Sequence, residues 1–354
     1  MSEHDPNVVL SLQTPWKENA NLIWIASSLA LRRNLENYNF PSKMDADQRG
    51  SVFKLLGDEL TKAKKLASPY LVPAPEAPPL EKEFIFEHFL LPFSPLHTQA
   101  GEGFVLDSSG TFLSCLNMED HLLLQVIDCS ENLEEAWNGL MLLESSLGER
   151  LKYSYSRRFG FLTSDPAECG TAFDLAIHLQ LPAMIHGDAL NDFLMKHSDE
   201  SIFVSGIQGT LDEIVGDVVV LRNNMTLGLS EEDILASLRS YATKLVVFEQ
   251  GLRSKMKSEQ SPDFMDLISR AYGMVMHSYQ IEVSEALGAI SLLKLGVDLG
   301  WMSGVSIQEL NALFFNCRRA HLLRHFKNEV PQEELSHKRA EYIHTVLKRL
   351  KLNI

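Results

Sequence analysis

The side chains whose types and spacing are best suited to chemistry lie in a loop between residues 163 and 174. It contains the acids Asp165, Glu168 and Asp174 and the thiol of Cys169, next to the turn residue Gly170. The loop has the frame of a phosphate-handling loop that enters a helix, yet it places carboxylates where a bound phosphate would require cations. We therefore expect a site whose frame fits phosphate and whose charge opposes it.

Two other groups of side chains could do chemistry, and a simpler interpretation is favoured for each. Cys169 lies at the predicted helix entrance, where a thiol pKa is lowered, but a buried, incidental thiol is favoured over a nucleophile. His321 and His325 have the i, i+4 spacing of metal ligands. Because there is no evident third ligand and the neighbours are cationic, we expect a solvated basic face and predict no metal site.

The spacing of apolar residues predicts the elements that must hold this loop. Short β-branched and aromatic runs predict strands at 21–30, 84–86, 103–106, 122–127, 202–207 and 214–221. Helical spacing occurs at 51–67, 133–147, 230–252, 264–279, 284–299, 306–324 and 332–352. The four prolines within 71–80 predict a surface loop, because proline fixes φ and lacks an N–H donor.

The chain changes character near residue 254, which predicts two domains. Residues 1–253 mix strands and helices, residues 254–263 form a polar linker, and residues 264–354 are helical only. Helix starts support this division, since Ser230 precedes three acids and Ser306 precedes Glu309 in a capping-box pattern. The predicted fold class is therefore a mixed α and β part followed by a small all-α bundle.

Composition excludes several classes of protein. A net charge of −15 and a pI near 5.3 argue against a general nucleic-acid-binding protein, which needs clustered Lys and Arg. No apolar run is long enough to cross a bilayer, and the first residues lack the pattern of a signal peptide. The four cysteines are widely spaced, which suits reduced thiols. We expect a cytoplasmic protein without nucleic-acid or membrane partners.

Several segments together resemble the phosphagen (guanidino) kinase family, specifically its bacterial protein-arginine kinase branch. Residues 24–35 resemble the pattern V-I-S-S-R-I-R-L-A-R-N-L, and residues 117–125 resemble N-E-E-D-H-L-R-I-Q. Residues 161–182 resemble Y-L-T-x-C-P-T-N-x-G-T-G-x-R running on to L-P. Further matches lie at 205–210, 227–234, 270–273 and 295–300. Because the matches follow in order along nearly the whole chain, chance is a poor explanation.

The resemblance implies an ATP:guanido phosphotransferase with an antiparallel sheet flanked by helices. Phosphoryl transfer is catalysed by positioning and by neutralising negative charge, so members of this family use Mg²⁺-ATP and five arginines that clamp its phosphates. All five matching positions carry other residues in this sequence: Ser28, Ala30, Leu123, Asp174 and Ser205. The chain is thus predicted to be a divergent member without the nucleotide-binding arginines.

Some cations of the chain could compensate for these losses. The candidates within residues 20–250 are Arg32, Arg33, Lys152, Arg157, Arg158 and Arg222. A shifted alignment lets Arg32 or Arg33 stand in for a family arginine on the first strand. Arg157 and Arg158 precede the loop strand and are predicted to be the best placed.

On the guanidinium side the resemblance is mixed. Glu119 matches a family carboxylate that binds and polarises the substrate guanidinium, Asp165 stands at the catalytic cysteine and Thr210 at a second carboxylate. A structural role for Glu119, in a hydrogen-bond network with Asp120 and His121, is an equally weighted alternative.

The resemblance also implies a phosphoarginine-binding C-terminal domain. At its matching positions Arg339 is retained and Lys294 replaces an arginine. Lys lacks the bidentate fork that suits phosphate, so phosphoarginine binding is not expected to be strong.

Two functions follow from these observations. The favoured one is a pseudokinase, without a firmly bound cofactor, that keeps the scaffold to bind proteins. Its partners by resemblance are a zinc-finger activator and a Clp-type unfoldase, and a homodimer is left open. The alternative is an active Mg²⁺-ATP-dependent protein-arginine kinase with a rearranged pocket.

Overall fold

The computed structural model describes residues 8–92, 97–211, 214–327 and 330–354. Its helices are α1 Ala46–Thr61, α2 Pro79–His88, α3 Leu133–Gly148, α4 Pro182–His186, α5 Leu190–Lys196, α6 Glu231–Glu259, α7 Pro262–His277, α8 Val283–Leu299, α9 Ile307–Asn316, α10 Arg319–His325 and α11 Leu335–Leu347. Its strands are β1 Trp24–Arg33, β2 Tyr70–Pro73, β3 Gly103–Leu106, β4 Phe112–Leu116, β5 Leu122–Asp128, β6 Tyr155–Ser156, β7 Gly160–Phe161, β8 Phe173–Gln180, β9 Ile202–Gly206, β10 Val218–Asn223, β11 Met302–Ser303 and β12 Lys351–Leu352.

Within these described ranges, eight strands form one sheet in the order β2-β3-β4-β5-β1-β8-β10-β9. Neighbouring strands from β2 to β1 in this order pair antiparallel. The register of β1 and β5 places Arg32 opposite Leu123 and Ala30 opposite Gln125. The predicted antiparallel sheet with flanking helices and a helical C-terminal part is confirmed.

The chain divides into two compact units. The first contains the described parts of residues 1–15, 27–176 and 222–237. The second contains residues 16–26, the described parts of 177–221, and the described parts of 238–354. This division follows contacts in space, and the domain boundary predicted at 254–263 stays a prediction.

The first unit packs helix α3 on the antiparallel strands. Leu29 and Leu124 are fully buried in the sheet, and the rings of Trp137 and Phe173 lie 4.6 Å apart. These residues remove large apolar surfaces from water, which is the main favourable term in folding. The result is a firm sheet whose central strands can hold side chains in fixed positions.

The second unit has a buried aromatic centre with polar contacts beside it. Trp16 stacks on Phe315 with ring centroids 4.4 Å apart. Glu249, which is fully buried, accepts hydrogen bonds from the backbone N–H groups of Ala183 and Met184 and from Arg253. A carboxylate can stay buried here because each of its oxygens has donors.

Both predicted helix starts are formed by side-chain caps. Ser230 Oγ accepts from the N–H of Asp233, whose carboxylate accepts from the N–H of Ser230. Ser306 and Glu309 make the same reciprocal pair at the start of α9. Each cap satisfies two backbone N–H groups that the helix itself leaves without partners.

Two predicted element types were wrong. Residues 84–86 were expected to be a strand but lie inside α2, which begins with Pro79 and buries Phe84 and Ile85. The loop that ends at Asp174 was expected to enter a helix and enters β8 instead. Both errors have one cause: a short apolar run does not distinguish a buried strand from a buried helix.

Several predicted boundaries also differ. Helix α6 continues through residues 254–259, so most of the predicted linker is helical. The predicted 306–324 helix breaks at Arg318, which has extended backbone angles. The proline-rich 71–80 segment, predicted to be a loop, forms part of β2 before α2 begins. Because β2 is an edge strand, its proline needs no N–H group to pair with a further strand.

Candidate functional site

One face of β1 lines a narrow cavity in the first unit. Successive side chains of a strand point to opposite faces, so Ser28, Ala30 and Arg32 share this face. The other lining residues come from β5, β8, β10 and the segment after α2: Leu123, Gln125, Asp174, Ala176, Arg222 and Pro92. The cavity has a volume of about 20 Å³, which is room for about one water molecule.

The guanidinium of Arg32 is held by acidic side chains. Its Nε donates to Oδ2 of Asp174 at 2.9 Å, and its Nη1 donates to Oε2 of Glu119 at 2.6 Å. Its Nη2 lies 2.8 Å from the same Asp174 oxygen. Burial alone would lower the pKa of Arg32, but the charges of Asp174 and Glu119 outweigh burial and raise it. The charge of Arg32 is therefore permanent and is neutralised inside the chain.

The acids around Arg32 also act on one another. Burial raises the pKa of Glu168, the charge of Asp174 raises it further and Arg32 lowers it, with the result at about 7. Burial, together with the charge of Asp174, thus favours the protonated form of Glu168 in the folded chain.

Arg222 is the second cation on the cavity wall. Burial lowers its pKa, and the charge of Asp174 opposes that change. Asp174 therefore lies within electrostatic reach of two guanidinium groups, although the hydrogen bonds go to Arg32.

Asp120 and His121 build the frame beneath the site. Asp120 Oδ1 accepts from the Asn34 side chain at 2.6 Å and from the N–H of Ser164 at 2.7 Å. His121 Nδ1 accepts from the N–H of Leu35 at 2.9 Å, and burial lowers its pKa. These contacts join the end of β1 to the acidic loop, which keeps Glu119 and Asp174 on the same side of Arg32.

The acidic loop is ordered by its own side chains. Asp165 Oδ1 accepts from the N–H of Ala167, which closes the turn at Pro166. The hydroxyl of Thr163 donates to the buried Sγ of Cys169 at 3.4 Å. Cys169 is therefore a buried thiol with a structural contact, as the simpler interpretation of the sequence predicted.

The predicted solvated basic face was right for His325, which is exposed, and wrong for His321. His321 is buried, with its ring edge-on to Trp16 at 5.1 Å. Arg318, three residues before it, is also buried. Helix spacing alone could not show that this face packs inside the second unit. Among the described residues, no group of three or more His, Cys, Asp and Glu side chains is arranged to hold a metal ion.

None of the helices in the described parts of the chain is long and apolar enough to cross a membrane.

Comparisons with known proteins place these residues in a family. A model of the ATP:guanido phosphotransferase C-terminal catalytic domain matches residues 52–252, and a model of the protein-arginine kinase McsB C-terminal domain matches residues 261–353. The protein-arginine kinase of Chlamydia pneumoniae is 33% identical over 352 residues, covering 98% of both chains. The protein-arginine kinase of Halothermothrix orenii is 33% identical and covers 92% of this chain and 93% of its own.

This chain belongs to the protein-arginine kinase family.

Solved structures agree with the fold. Lombricine kinase is 19% identical with a TM-score of 0.57 and covers 71% of each chain. A duplicated taurocyamine kinase from Schistosoma mansoni is 20% identical with a TM-score of 0.57, covering 65% of this chain and 33% of its own. At these identities the similarity shows the guanidino-kinase-like fold.

Four of the five positions predicted to match family arginines meet at the cavity. Ser28, Ala30, Leu123 and Asp174 line it together, and Glu119 reaches its Arg32. Side-chain alternation on β1 was the signal that could have placed Arg32 beside them, because 28, 30 and 32 share one face.

Other predicted site residues lie elsewhere. Ser205 is buried in β9 of the second unit. Thr210 is exposed, and its backbone carbonyl closes a turn by accepting a hydrogen bond from the N–H of Gly206. Arg157 and Arg158 are exposed at the β6–β7 turn and are not among the residues that line the cavity. Their role as compensating cations stays a prediction.

The residues predicted for phosphoarginine binding are both buried in the second unit. Lys294 donates to Oδ1 of Asn311 at 2.7 Å, and burial lowers its pKa well below the ordinary value. Arg339 donates to the backbone carbonyls of Cys317 and Ile281 at 2.9 and 2.8 Å. Both side chains have internal partners, so an external phosphate would have to displace those contacts.

Proposed function

We propose that this chain is a protein-arginine kinase homologue with impaired or absent phosphotransfer, which works by binding other proteins. The observation that carries the proposal is the pair of contacts from Glu119 and Asp174 to Arg32. The guanidinium of Arg32 thus binds Glu119, the carboxylate that the family resemblance assigns to a substrate guanidinium. In the same contact, Asp174 stands where the resemblance expects a cation for phosphate.

The charge of the site supports this proposal. Phosphoryl transfer needs cations that neutralise the transferring group in a prepared position. Here Arg32 is already neutralised by two carboxylates, and Arg222 is the other cation among the described residues of the lining. Each missing charge-assisted hydrogen bond to phosphate would weaken binding by about 1.5–3 kcal/mol, roughly ten- to hundredfold.

An active Mg²⁺-ATP-dependent protein-arginine kinase is the second candidate, and the relatives favour it. Proteins named protein-arginine kinase match almost the full length of this chain. In this candidate Glu119 releases Arg32 and takes up a substrate arginine, while Arg32 and Arg222 turn to the nucleotide. The site geometry favours the first candidate, and the names of the relatives favour the second.

Calorimetric titration with Mg²⁺-ATP separates the two candidates. The first predicts no binding up to millimolar nucleotide and no phosphate on arginines of a substrate protein. Millimolar or tighter binding that Arg222→Ala abolishes, together with arginine phosphorylation, would overturn it in favour of the second. The Chlamydia pneumoniae relative, assayed in parallel, shows that the assay detects activity.

The protein partners are a separate part of the proposal. By family resemblance they are a zinc-finger activator and a Clp-type unfoldase, which would place the chain in the cytoplasm. The four buried cysteines form no disulfide, which agrees with a reducing compartment. Pull-down with the purified partners tests this part, and failure of both to bind would remove its support.

A further inference from the structure

The turn between β6 and β7 in the first unit presents cations and aromatic rings to solvent. Arg157, Arg158 and Phe159 form the turn and are exposed, and the Arg158 guanidinium lies 5.0 Å from the centroid of the Phe159 ring. Tyr155 is 61% exposed and Phe159 is 43% exposed. Aromatic rings beside arginines are typical of protein interfaces, where Tyr and Arg contribute much of the binding energy. None of these residues lines the Arg32 cavity.

The segment around this turn is basic in an acidic chain. The net charge of the chain is −15, yet residues 150–164 contain Lys and Arg and no Asp or Glu. Arg150 of this segment is paired with Glu59. Within the described parts of the chain, no carboxylate forms an ion pair with Arg157 or Arg158. The turn thus presents positive charge that those parts of the chain do not neutralise.

The hairpin that carries the turn is held on both sides. Phe161 pairs with Tyr155 across the hairpin and with Gly170 on its other side. The N–H of Phe161 donates to the carbonyl of Gly170 at 2.8 Å, and the N–H of Gly170 donates back at 3.2 Å. The N–H of Arg158 donates to Oγ of Ser156 at 3.2 Å, within the turn. A partner that binds such an ordered surface loses little affinity to the ordering of loops.

Apolar side chains continue the surface beyond the turn. The ring of Tyr155 lies edge-on to that of Phe161, with centroids 5.3 Å apart. A Cβ atom added at Gly170 would lie 2.8 Å from the Cα atom of Leu227, whose side chain is 50% exposed. Gly170 therefore lies between Phe161 and Leu227. Single exposed apolar residues are ordinary on proteins, whereas adjoining ones mark a surface that another molecule covers.

The charge of the turn indicates the chemistry of that molecule. Guanidinium groups form charge-assisted and often bidentate hydrogen bonds with carboxylates. A nucleic acid fits the surface less well, because its phosphate backbone requires a longer basic stripe and is repelled by a chain with a net charge of −15. A short acidic protein segment needs only the two arginines of the turn, and its apolar residues have exposed rings to pack against.

From this arrangement we propose that the β6–β7 turn binds a protein segment that presents Asp or Glu beside apolar side chains. The carboxylates accept hydrogen bonds from Arg157 and Arg158, and the apolar side chains pack against Tyr155, Phe159 and Leu227. This inference rests on the proposed protein-binding function and adds the chemistry of the partner. It does not depend on whether the chain transfers phosphate.

Fluorescence anisotropy with labelled octapeptides tests the proposal. The test peptides alternate Glu with Leu or Phe. One set of controls has Gln in place of Glu, and a second set has Ser in place of the apolar residues. We expect the acidic apolar peptides to bind about tenfold or more tightly than either control. Their affinity should fall as the salt concentration rises from about 50 to about 300 mM, because salt screens exposed charges.

Variants of the two arginines test the polar half of the surface. Arg157→Gln combined with Arg158→Gln should weaken binding of the acidic peptides about tenfold or more. Lys64→Gln combined with Lys65→Gln is the matched control, because it removes two adjacent exposed cations from the same unit. The control should leave the affinity nearly unchanged, which separates the turn from the net charge of the chain.

A variant of the ring tests the apolar half. Phe159→Ser should weaken the acidic apolar peptides about fivefold or more and leave the melting temperature unchanged, because the ring is exposed. Leu142→Ser is the matched control, since Leu142 is 48% exposed on α3 of the same unit. It should change neither the affinity nor the melting temperature.

The proposal is overturned if no acidic peptide binds, or if either the double arginine variant or Phe159→Ser leaves the affinity unchanged. An equal loss in the lysine control also overturns it. Tighter binding of an eight-residue oligothymidylate that depends on the same arginines would replace the acidic protein segment with a nucleic acid. A chain that retains partners in the pull-down but binds no acidic peptide loses this surface alone, so the two failures are distinguishable.

Discussion

Arg32 in the first unit and Arg339 in the second are both largely buried, but their partners differ in kind. Arg32 donates to the side-chain carboxylates of Glu119 and Asp174. Arg339 donates to the backbone carbonyls of Cys317 and Ile281, and so joins α11 to the end of α9 and to the segment before α8.

The kind of partner distinguishes an arginine that belongs to a site from one that belongs to the scaffold. Backbone carbonyls do not titrate and are fixed by the elements that carry them, so Arg339 acts as a structural connection. The carboxylates stand on side chains that can move, and one of the two, Glu119, has a side chain that is 57% exposed. The contacts of Arg32 can therefore exchange with a ligand.

The largest expected effect is on Arg339. Arg339→Ala should lower the free energy of unfolding by about 3 kcal/mol or more, because two buried carbonyls lose charge-assisted donors. Arg339→Lys should recover only part of this, since an ammonium lacks the planar fork that reaches both carbonyls. Urea denaturation measures both values. If Arg339→Ala lowers the free energy of unfolding by less than about 1 kcal/mol, the scaffold does not need this contact and the distinction from Arg32 fails.

Removal of Arg32 should have a smaller effect on stability and a distinctive rescue. Arg32→Ala leaves Glu119, Asp174 and Glu168 without their shared cation, which we expect to cost about 1–2 kcal/mol at pH 7. Agmatine, which supplies a free guanidinium, should raise the melting temperature of Arg32→Ala. It should not rescue Arg339→Ala, whose gap is closed by packed helices. Equal response of the two variants would contradict the distinction between site and scaffold.

Glu168 should make the stability of the folded chain depend on pH. Its folded pKa of about 7 lies above the ordinary value of 4.5, so the folded chain binds the proton more tightly than the unfolded chain. This contribution to stability is full below about pH 4.5 and is lost as the pH rises through 7. Because the side chain is partly exposed, solvent screening reduces the effect to about 1 kcal/mol.

Thermal unfolding of the wild type and of Glu168→Gln between pH 4.5 and 7.5 measures this term. The variant should show a flatter stability profile over this window. Glu149→Gln, at an exposed position of the same unit that does not act on Glu168, is the matched control. An unchanged slope in Glu168→Gln would contradict the raised pKa of Glu168.

The smallest effect is expected for Arg157 and Arg158. Both are exposed at the β6–β7 turn, so Arg157→Ala combined with Arg158→Ala should leave the melting temperature and the Mg²⁺-ATP titration unchanged. A loss of nucleotide binding in this double variant would show that the exposed turn, rather than Arg32 and Arg222, supplies the cations of the site.

Much of the fold could be predicted from the sequence. The β1 run, the α3 face and the caps at Ser230 and Ser306 are local signals, since each depends on neighbours in the chain. The segment 84–86 and the strand that contains Asp174 could not be assigned in this way. A short apolar run fits a buried helix as well as a buried strand, and nearly every residue of β8 is buried, which erases its periodicity.

The sequence predicted which residues belong to the candidate site better than it predicted their contacts. Ser28, Ala30, Leu123 and Asp174 were identified through a family resemblance, and the structure places them around one cavity. The pairing of Arg32 with Asp174 spans 142 positions in sequence. Such a contact depends on the order of β1 and β8 in the sheet, which no local pattern specifies.

The sequence by itself determined the family of this protein, its mixed α and β architecture with a helical C-terminal part, and its acidic loop. Only the tertiary structure decided that Arg32 pairs with Asp174 of that loop, and that Lys294 and Arg339 are internal. The physical reason is that charge and burial act through space. A residue's type is set locally, whereas the partner that satisfies or opposes its charge is set by which strands and helices pack around it.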